Sequence, residues 1–391
     1  MQEKKMRVLF LPRWYPHRQD AMPGLFIQRQ AESLTDVCDV AVVYIHAEQD
    51  CPNKLEVEFS EENQVRVLRV YYQAPSGKFP GFSKLAGFYR FYRVQMKALK
   101  SICEFQPDLV HAHVLTRMGF IALRYSKKQN IPFVISEHWS RYFPENRKFN
   151  GFFKKAITRR IVRKAAAMLV VSNKLKQAML DYGLKNEHYR IIPNIVDPQL
   201  FDLRPERQNP EKKTLIHVSC FEDRSKNISG FLRAIKKISS ERQDFQCLMV
   251  GDGPDLEEMK DYAGSLEIKD TFVIFTGLKT GIELVEIINQ ADFLVLSSHY
   301  ETFGTVVVES LSCGTPVLAT PVGIVPEVIH TENGMIIPTS GDEDLKIFIS
   351  RMLDLCRNYD RRKIRADISE KYTAERVGKE ISEIYRQILQ K

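Results

Sequence analysis

The chain has 391 residues, 44% of them hydrophobic; at about 100–200 residues per domain this suffices for two domains, each with its own core. A charged content of 27%, 10% aromatics and no low-complexity tract exclude a disordered or fibrous chain, and the longest uninterrupted apolar run, the seven residues Ala165–Val171, is too short for a bilayer span of about 20. The formal charge of +8 is unevenly placed: residues 1–197 carry 32 basic and 18 acidic side chains, a surplus of +14, whereas residues 198–391 carry 25 and 31, or −6.

Short apolar runs alternate with segments of helical period along the chain, the pattern of parallel sheets with helical crossovers, so the expected fold class is α/β. The first run, Val8–Leu11, is too short for the apolar part of a signal peptide and reads as a buried strand. Further strands are predicted at Val40–Ile45, Val65–Val70, Leu109–His111, Phe133–Ser136, Met168–Val171 and Tyr189–Ile192. Pro193-Asn194 breaks the alternation, and the polar stretch 197–213, with Pro198, Pro205 and Pro210, is predicted to be a linker. A second set follows at Thr214–Val218, Gln246–Val250, Phe272–Phe275, Phe293–Leu296, Pro316–Ala319 and Met335–Ile337. The expectation is two doubly wound domains, 1–197 and 198–373, facing a cleft, with a terminal helix over 374–391. That helix places Val377, Ile381, Ile384, Tyr385 and Ile388 on one face, packed back toward the first domain. Seven cysteines, an odd number without any CxxC pair, point to a reducing cytoplasm rather than a disulfide framework.

Open α/β sheets bind ligands beyond the carboxyl ends of their strands. The most informative loop there is Glu301-Thr302-Phe303-Gly304-Thr305, which leaves a strand and opens a helix. Gly304 permits close backbone approach, and free amides at the helix start favour an anion such as phosphate. Between Thr302 and Pro326 the only charged residue is Glu309, set among valines and leucine. A buried carboxylate needs hydrogen-bond donors; amides of its own domain or a pair of ligand hydroxyls would both serve. Val250-Gly251-Asp252-Gly253 is a second glycine turn, but Leu256 replaces the third glycine of a dinucleotide fingerprint, which disfavours a nicotinamide-dependent oxidoreductase.

Glu301 and Glu309 are separated by seven residues and followed by Gly314-Thr315-Pro316-Val317 and Pro326-Glu327-Val328; upstream stand Phe275-Thr276-Gly277-Leu278 and Ala291-Asp292-Phe293. The first half adds Pro107-Asp108-Leu109-Val110-His111-Ala112-His113, Ser136-Glu137-His138, Val171-Ser172 and Pro193-Asn194-Ile195-Val196-Asp197. In these positions the chain resembles, over nearly its whole length, a retaining glycosyltransferase of family 4. The resemblance implies the GT-B fold, two Rossmann-like domains facing an interdomain cleft. It also implies transfer of a sugar from a nucleotide-diphosphate sugar to a carbohydrate or lipid-linked acceptor, as in bacterial surface polysaccharide or glycolipid synthesis, without a cofactor.

The same resemblance implies roles. Glu309 would bond the ribose hydroxyls and Glu301 the hydroxyls of the transferred sugar, while the amides around Phe303, Gly304, Thr305 and Val306 would hold sugar or phosphate oxygens. Lys226 would stabilise charge on the departing diphosphate, with Gly251, Gly253 and Leu278 also on the donor side. Gly24, after the first strand, would offer a backbone amide across the cleft or serve a plain turn. His138 would sit near the reacting centre, orienting the acceptor or assisting departure, with a buried structural histidine as the competing reading; Trp14 and His113 fall on the acceptor side. Many members carry an arginine five positions before the lysine, where this chain has Phe221; either Arg224 supplies the missing cation or the diphosphate is held by one side chain fewer. Ile195 and Ile324 stand where glycines are usual.

The mechanism so implied is front-face transfer with retention. Metal independence is expected, because Asp342-Glu343-Asp344 after Gly341 reads as a helix start. A non-catalytic homologue, the alternative, would be expected to lose the two glutamates, and both are present. Residues 78–100 hold six basic side chains and no acid, interleaved with aromatics, and residues 141–164 hold nine against Glu145 alone. Such segments attract anionic lipid at about 1 kcal/mol per charge, which suggests peripheral contact with the cytoplasmic face of a membrane; no nucleic-acid module is recognised.

Overall fold

A computed structural model describes residues 5–49, 51, 53–74, 80–146, 149–204 and 212–390, with the backbone alone at 80–85 and 116. Pro205 and Pro210 of the expected linker, and Lys78, Phe79, Arg147 and Lys148 of the basic segments, lie outside the described residues.

The first sheet contains eight strands: β1 (Met6–Pro12), β2 (Cys38–Glu48), β3 (Leu55–Glu62), β4 (Val65–Gln73), β5 (Leu109–His113), β6 (Phe133–Glu137), β7 (Ala167–Val170) and β8 (Tyr189–Ile191). Their spatial order is β3-β4-β2-β1-β5-β6-β7-β8. Side chains alternate between two covered faces, as a sheet buried on both sides requires. Val8 and Phe10 enter the core against α1 (Leu25–Glu32). Leu9 and Leu11 enter the core against α2 (Pro80–Ser101), α3 (Leu115–Gln129), α4 (Phe152–Lys164) and α5 (Asn173–Asp181).

One strand departs from the sequence-based expectation. β3 pairs antiparallel with β4 at the sheet edge, whereas the other pairings of this sheet are parallel. Its alternation of Glu56 and Glu58 with exposed Val57 and Phe59 gives no buried run to find, and acidic side chains on an edge discourage pairing with another chain.

The second sheet has six parallel strands in the order β11-β10-β9-β12-β13-β14: β9 (Lys213–Val218), β10 (Phe245–Val250), β11 (Val273–Gly277), β12 (Phe293–Leu296), β13 (Val317–Ala319) and β14 (Gly334–Ile336). Its helices are α6 (Asp223–Lys226), α7 (Ile228–Ser239), α8 (Leu256–Ser265), α9 (Gly281–Gln290), α10 (Thr305–Ser312), α11 (Val325–Val328), α12 (Asp342–Leu355) and α13 (Arg361–Ile368). The acidic triplet 342–344 forms the first turn of α12, where the helix dipole favours carboxylates, and Asp342 pairs with Arg233 on α7.

The last helix, α14 (Ala374–Leu389), packs on the first sheet: its Tyr385 hydroxyl lies 2.6 Å from His111 Nδ1, inside the core that also holds Ile27 and Ala31 of α1. The chain thus crosses between the two sheets twice, near 197–212 and near Tyr372, and the crossings are tied together by the Val196 amide donating to the Tyr372 carbonyl. Among the described residues no helix is long and apolar enough to cross a membrane.

Candidate active site

The carboxyl ends of both sheets meet at the interdomain cleft, and its second-domain wall is built by three loops. The first, between β9 and α7, carries Lys226 at the end of the short helix α6. The second, between β12 and α10, carries Glu301 and the turn through Gly304. Lys226 Nζ donates to Glu301 Oε1 at 2.5 Å, and Ser298 Oγ donates to the same oxygen at 2.9 Å. Burial works against the Lys226 ammonium, but Glu301 beside it, with further carboxylate and thiol groups, raises its pKa overall. The two residues expected on diphosphate and sugar therefore hold each other on this wall of the cleft.

Gly304 caps α10 in the left-handed conformation, and the amides of Phe303, Gly304, Thr305 and Val306 donate to no acceptor among the described residues. The Phe303 ring itself is buried, and its carbonyl accepts from the Ile324 amide. The isoleucine in place of a glycine is thus a core residue that pins this turn from below. One turn into α10, Glu309 is only partly exposed, and its carboxylate has neither hydrogen bond nor ion pair among the described residues. It braces no amide of its own domain. Burial pushes its carboxyl up to about 7, opposed by the field of Arg29 across the cleft.

The third loop is the turn after β10. A Cβ on Gly251 would lie 1.9 Å from the Ser219 carbonyl oxygen, so the turn is pressed onto the 219–221 segment. Phe221 donates its amide to Asp252 and accepts from Asp255, with its ring fully buried. Gly253 follows in the same turn, its amide donating to the Asp252 carboxylate. Phe221 therefore belongs to the core and leaves no cation at its position. Leu278 stands 56% exposed beside this turn, since the Gly251 amide donates to the Gly277 carbonyl. Arg224, the expected substitute cation, is turned elsewhere: its guanidinium reaches the first domain and donates to the carbonyls of Glu145 and Asn146, both at 3.2 Å.

The first-domain wall is made by the loops after β1, β5 and β6. Gly24, the left-handed cap of α1, sits so close to the Trp14 carbonyl that a Cβ would be 2.2 Å from its oxygen; it fixes the Trp14 loop. Trp14 meets Trp139 edge to face at 5.3 Å. His113 and His138 are both buried and stacked 6.0 Å apart, and among the described residues neither ring nitrogen of either has a hydrogen-bond partner. Burial depresses His138 to about 3 and His113 well below its usual value, so both imidazoles are neutral near pH 7.

Sequence reasoning gave no role to Glu137, yet it organises this wall. Its carboxylate accepts from the amides of Leu115, His138 and Trp139 and from the Tyr142 hydroxyl, at 2.8–3.0 Å. Burial raises its pKa, and these hydrogen bonds oppose the rise. Across the cleft, Ser172 Oγ donates to the Thr302 carbonyl, and Asn173 donates both its amide and its Nδ2 to the Glu327 carboxylate at 2.9 Å. These contacts give Val171-Ser172 and Pro326-Glu327-Val328 a joint purpose, clasping the two domains beside the Gly304 turn. Residues from both domains, among them Phe143, Tyr300, Glu301 and Gly323, enclose a cavity of about 290 Å³ there.

Two family models match the chain in succession, Glycosyltransferase Family 4 over residues 26–200 and Glycosyl transferases group 1 over residues 200–370. The chain belongs to this glycosyltransferase family. The glycosyltransferase is 28% identical over 246 residues to alpha-monoglucosyldiacylglycerol synthase of Streptococcus pneumoniae, covering 58% of this chain and 55% of that protein. It is 28% identical over 239 residues to N-acetyl-alpha-D-glucosaminyl L-malate synthase of Bacillus anthracis, covering 58% of this chain and 61% of that one. It therefore spans little more than half the length of these two relatives. TuaC, a Bacillus subtilis glycosyltransferase ascribed to teichuronic acid biosynthesis, is 25% identical over 366 residues, 88% of this chain and 89% of its own. In fold the glycosyltransferase is similar to sucrose-phosphate synthase of Thermosynechococcus elongatus, with a TM-score of 0.78 at 18% identity, covering 99% and 100% of the two chains. It is similar too to Anabaena HepE, solved in complex with UDP-glucose, with a TM-score of 0.70 at 16% identity over 98% and 100%. The fold is GT-B.

Proposed function

We propose that this glycosyltransferase moves a sugar, with retention of anomeric configuration, from a nucleotide-diphosphate sugar on the second domain to a carbohydrate or lipid-linked acceptor on the first. The observation that carries this reading is the conjunction at the start of α10: four amides without acceptors, an unpartnered Glu309 carboxylate one turn on, and the Lys226 ammonium beside them. Amides and ammonium suit the oxygens of a diphosphate; a carboxylate without donors suits the vicinal hydroxyls of a ribose. Glu301, once Lys226 turns to phosphate, is freed to accept from hydroxyls of the transferred sugar.

In the reaction the bond from the anomeric carbon to the diphosphate oxygen breaks while the acceptor oxygen bonds to that carbon from the same face. The acceptor proton passes to a leaving phosphate oxygen. Lys226 and the α10 amides stabilise the growing negative charge and supply the positive field that a divalent cation gives elsewhere, so transfer is expected to persist in excess chelator. His138, neutral and at the carboxyl end of β6, orients the acceptor rather than donating a proton. A non-catalytic nucleotide-sugar-binding homologue would have no need of the Lys226–Glu301 pair.

The first domain is further proposed to rest on an anionic membrane surface. Helices α2, α3 and α4 carry fifteen basic residues and no acidic one, and Phe120 packs on Phe88 and Tyr92, which joins α3 to α2. Phe152 and Phe153 at the start of α4 are each 80% exposed. A basic face with protruding aromatics favours the headgroup region.

Thermal-shift titration with UDP-, GDP- and ADP-sugars tests the donor assignment. One nucleotide should raise Tm in wild type and fail to do so in Glu309→Ala; no response to any of them contradicts the reading. Proton NMR of the product reports retention directly. Co-sedimentation should occur with vesicles containing phosphatidylglycerol and not with phosphatidylcholine alone, and no binding to anionic vesicles at low salt removes the membrane proposal.

A further inference from the structure

Arg224 stands two residues before Lys226 in the short helix α6, yet its side chain serves the opposite wall of the cleft. α6 itself is fixed to the second domain. The Asp223 carboxylate accepts from the amide and the hydroxyl of Ser229, both at 2.7 Å, the Ser225 carbonyl accepts from the His299 amide, and Ser297 Oγ donates to the Lys226 carbonyl at 3.0 Å. A side chain leaving a turn anchored in this way moves with that domain. Arg224 Nη2 spans the cleft and donates to the carbonyls of Glu145 and Asn146. Tyr300, adjacent to Glu301, makes a second crossing: its buried ring lies 6.2 Å from the buried ring of Phe143.

Both crossings end on one segment, 138–146, which follows β6 on the first-domain wall. The segment is tied together internally. The Phe143 amide donates to the Ser140 carbonyl, the Asn146 amide to the Phe143 carbonyl, and Asn146 Nδ2 to Ser140 Oγ at 3.0 Å. Glu137 holds its beginning through the amides of His138 and Trp139; toward its other end Arg224 and Tyr300 reach it from the second domain. We propose that Arg224 and Tyr300 are positioning residues: from the two loops that carry Lys226 and Glu301 they set the segment that presents His138 and Trp139, and Arg224 does not bind the diphosphate. A planar guanidinium with several donors can bridge two successive carbonyls, a task of reach and geometry rather than of counter-charge. The proposal rests on the reading of the second domain as the donor side and the first as the acceptor side; it adds which donor-side residues shape the acceptor wall.

Trp14 and Trp139 are the protein's two tryptophans and meet edge to face at 5.3 Å, so intrinsic fluorescence and its quenching by acrylamide report on the segment. In the full chain without nucleotide, Arg224→Ala and Tyr300→Leu should each shift the emission and increase the quenching, and Arg224→Lys, which keeps an ammonium donor, should fall between Arg224→Ala and wild type. Arg224 is exposed, so Tm in Arg224→Ala should move by less than about 2 °C. Calorimetric titration with UDP, GDP and ADP completes the test. For whichever of them binds wild type, Kd should be unchanged in Arg224→Ala, whereas a guanidinium that held the diphosphate would weaken binding about tenfold or more when removed.

Unchanged emission and quenching in Arg224→Ala would overturn the proposal, as would a nucleotide Kd raised about tenfold in that variant. Increased quenching together with a large fall in Tm would mark a merely structural role and overturn it too; unchanged fluorescence in Tyr300→Leu alone strikes that residue from it. The two readings fail separately. If none of the three nucleotides binds wild type, the donor assignment falls, while the tryptophan comparison, made without nucleotide, still decides the role of Arg224.

Discussion

The two walls of the cleft recruit positive charge in opposite ways. On the first-domain wall it resides in side chains, Arg13, Arg117 and Arg141 in the segments that follow β1, β5 and β6, while Glu137 is spent on backbone amides. On the second-domain wall the one central cation, Lys226, is neutralised by Glu301, and the uncompensated donors are the backbone amides of residues 303–306. The surplus of +14 in residues 1–197 and the deficit of −6 in residues 198–391 therefore do not decide which wall holds the nucleotide. Oriented amides can hold an anion inside a half of net negative charge, because they act within the first helical turn.

Removing Lys226 should break this contrast most severely. Lys226→Ala is expected to lower kcat by about 100- to 1,000-fold, the range for loss of one donor to a developing oxyanion, and steady-state transfer assays would show it. A donor wall that worked through net charge alone would lose far less. On the opposite wall, Glu137→Ala strips the acceptor from three amides and a hydroxyl and should cost about 3 kcal/mol or more of stability, read as a lower midpoint in urea. The effect should fall on folding before it falls on donor affinity.

Glu309 gives a smaller effect with a definite pH signature. Its carboxyl is raised to about 7, and hydroxyl donors require it ionised, so nucleotide affinity should fall about tenfold between pH 8 and pH 6. In Glu309→Gln that pH dependence should vanish. The sign for stability is reversed. A carboxyl whose folded pKa lies above its unfolded value contributes its stabilising neutral form fully below the ordinary carboxylate range. That contribution is lost as pH rises through 7, so in the absence of nucleotide the wild type should gain less stability than Glu309→Gln on going from pH 8 to pH 5 only if the raised pKa is wrong. The smallest expected effect is that of Asn173→Ala, which removes one of the two hydrogen bonds to Glu327. A rise of about two- to fivefold in donor KM is anticipated, with kcat for saturating donor little changed.

Strand positions were legible because buried parallel strands are short apolar runs, and those runs recur through both halves of the chain. β3 was not, since an edge strand with glutamates on alternate positions has no such run. The helix start at Gly304 and the isolation of Glu309 were likewise legible. What spacing could not convey was direction. Arg224 lies two residues from Lys226 in sequence, yet its guanidinium crosses the cleft to Glu145 and Asn146. Arg13 stands more than a hundred positions from Arg117 and Arg141 in sequence, and only the parallel register of β1, β5 and β6 brings the strand ends that precede them side by side. Glu137 was visible within Ser136-Glu137-His138, but its role depends on amides from two different loops.

The central claim is that the amide-lined second-domain wall, not the arginine-rich first, holds the nucleotide diphosphate. Calorimetric titration of the nucleoside diphosphate selected by thermal shift, into wild type, Glu309→Gln and Arg117→Gln, tests it most directly. The account predicts a Kd raised about tenfold or more by Glu309→Gln and unchanged by Arg117→Gln. An unchanged Kd in the glutamate variant together with weakened binding in the arginine variant would contradict it.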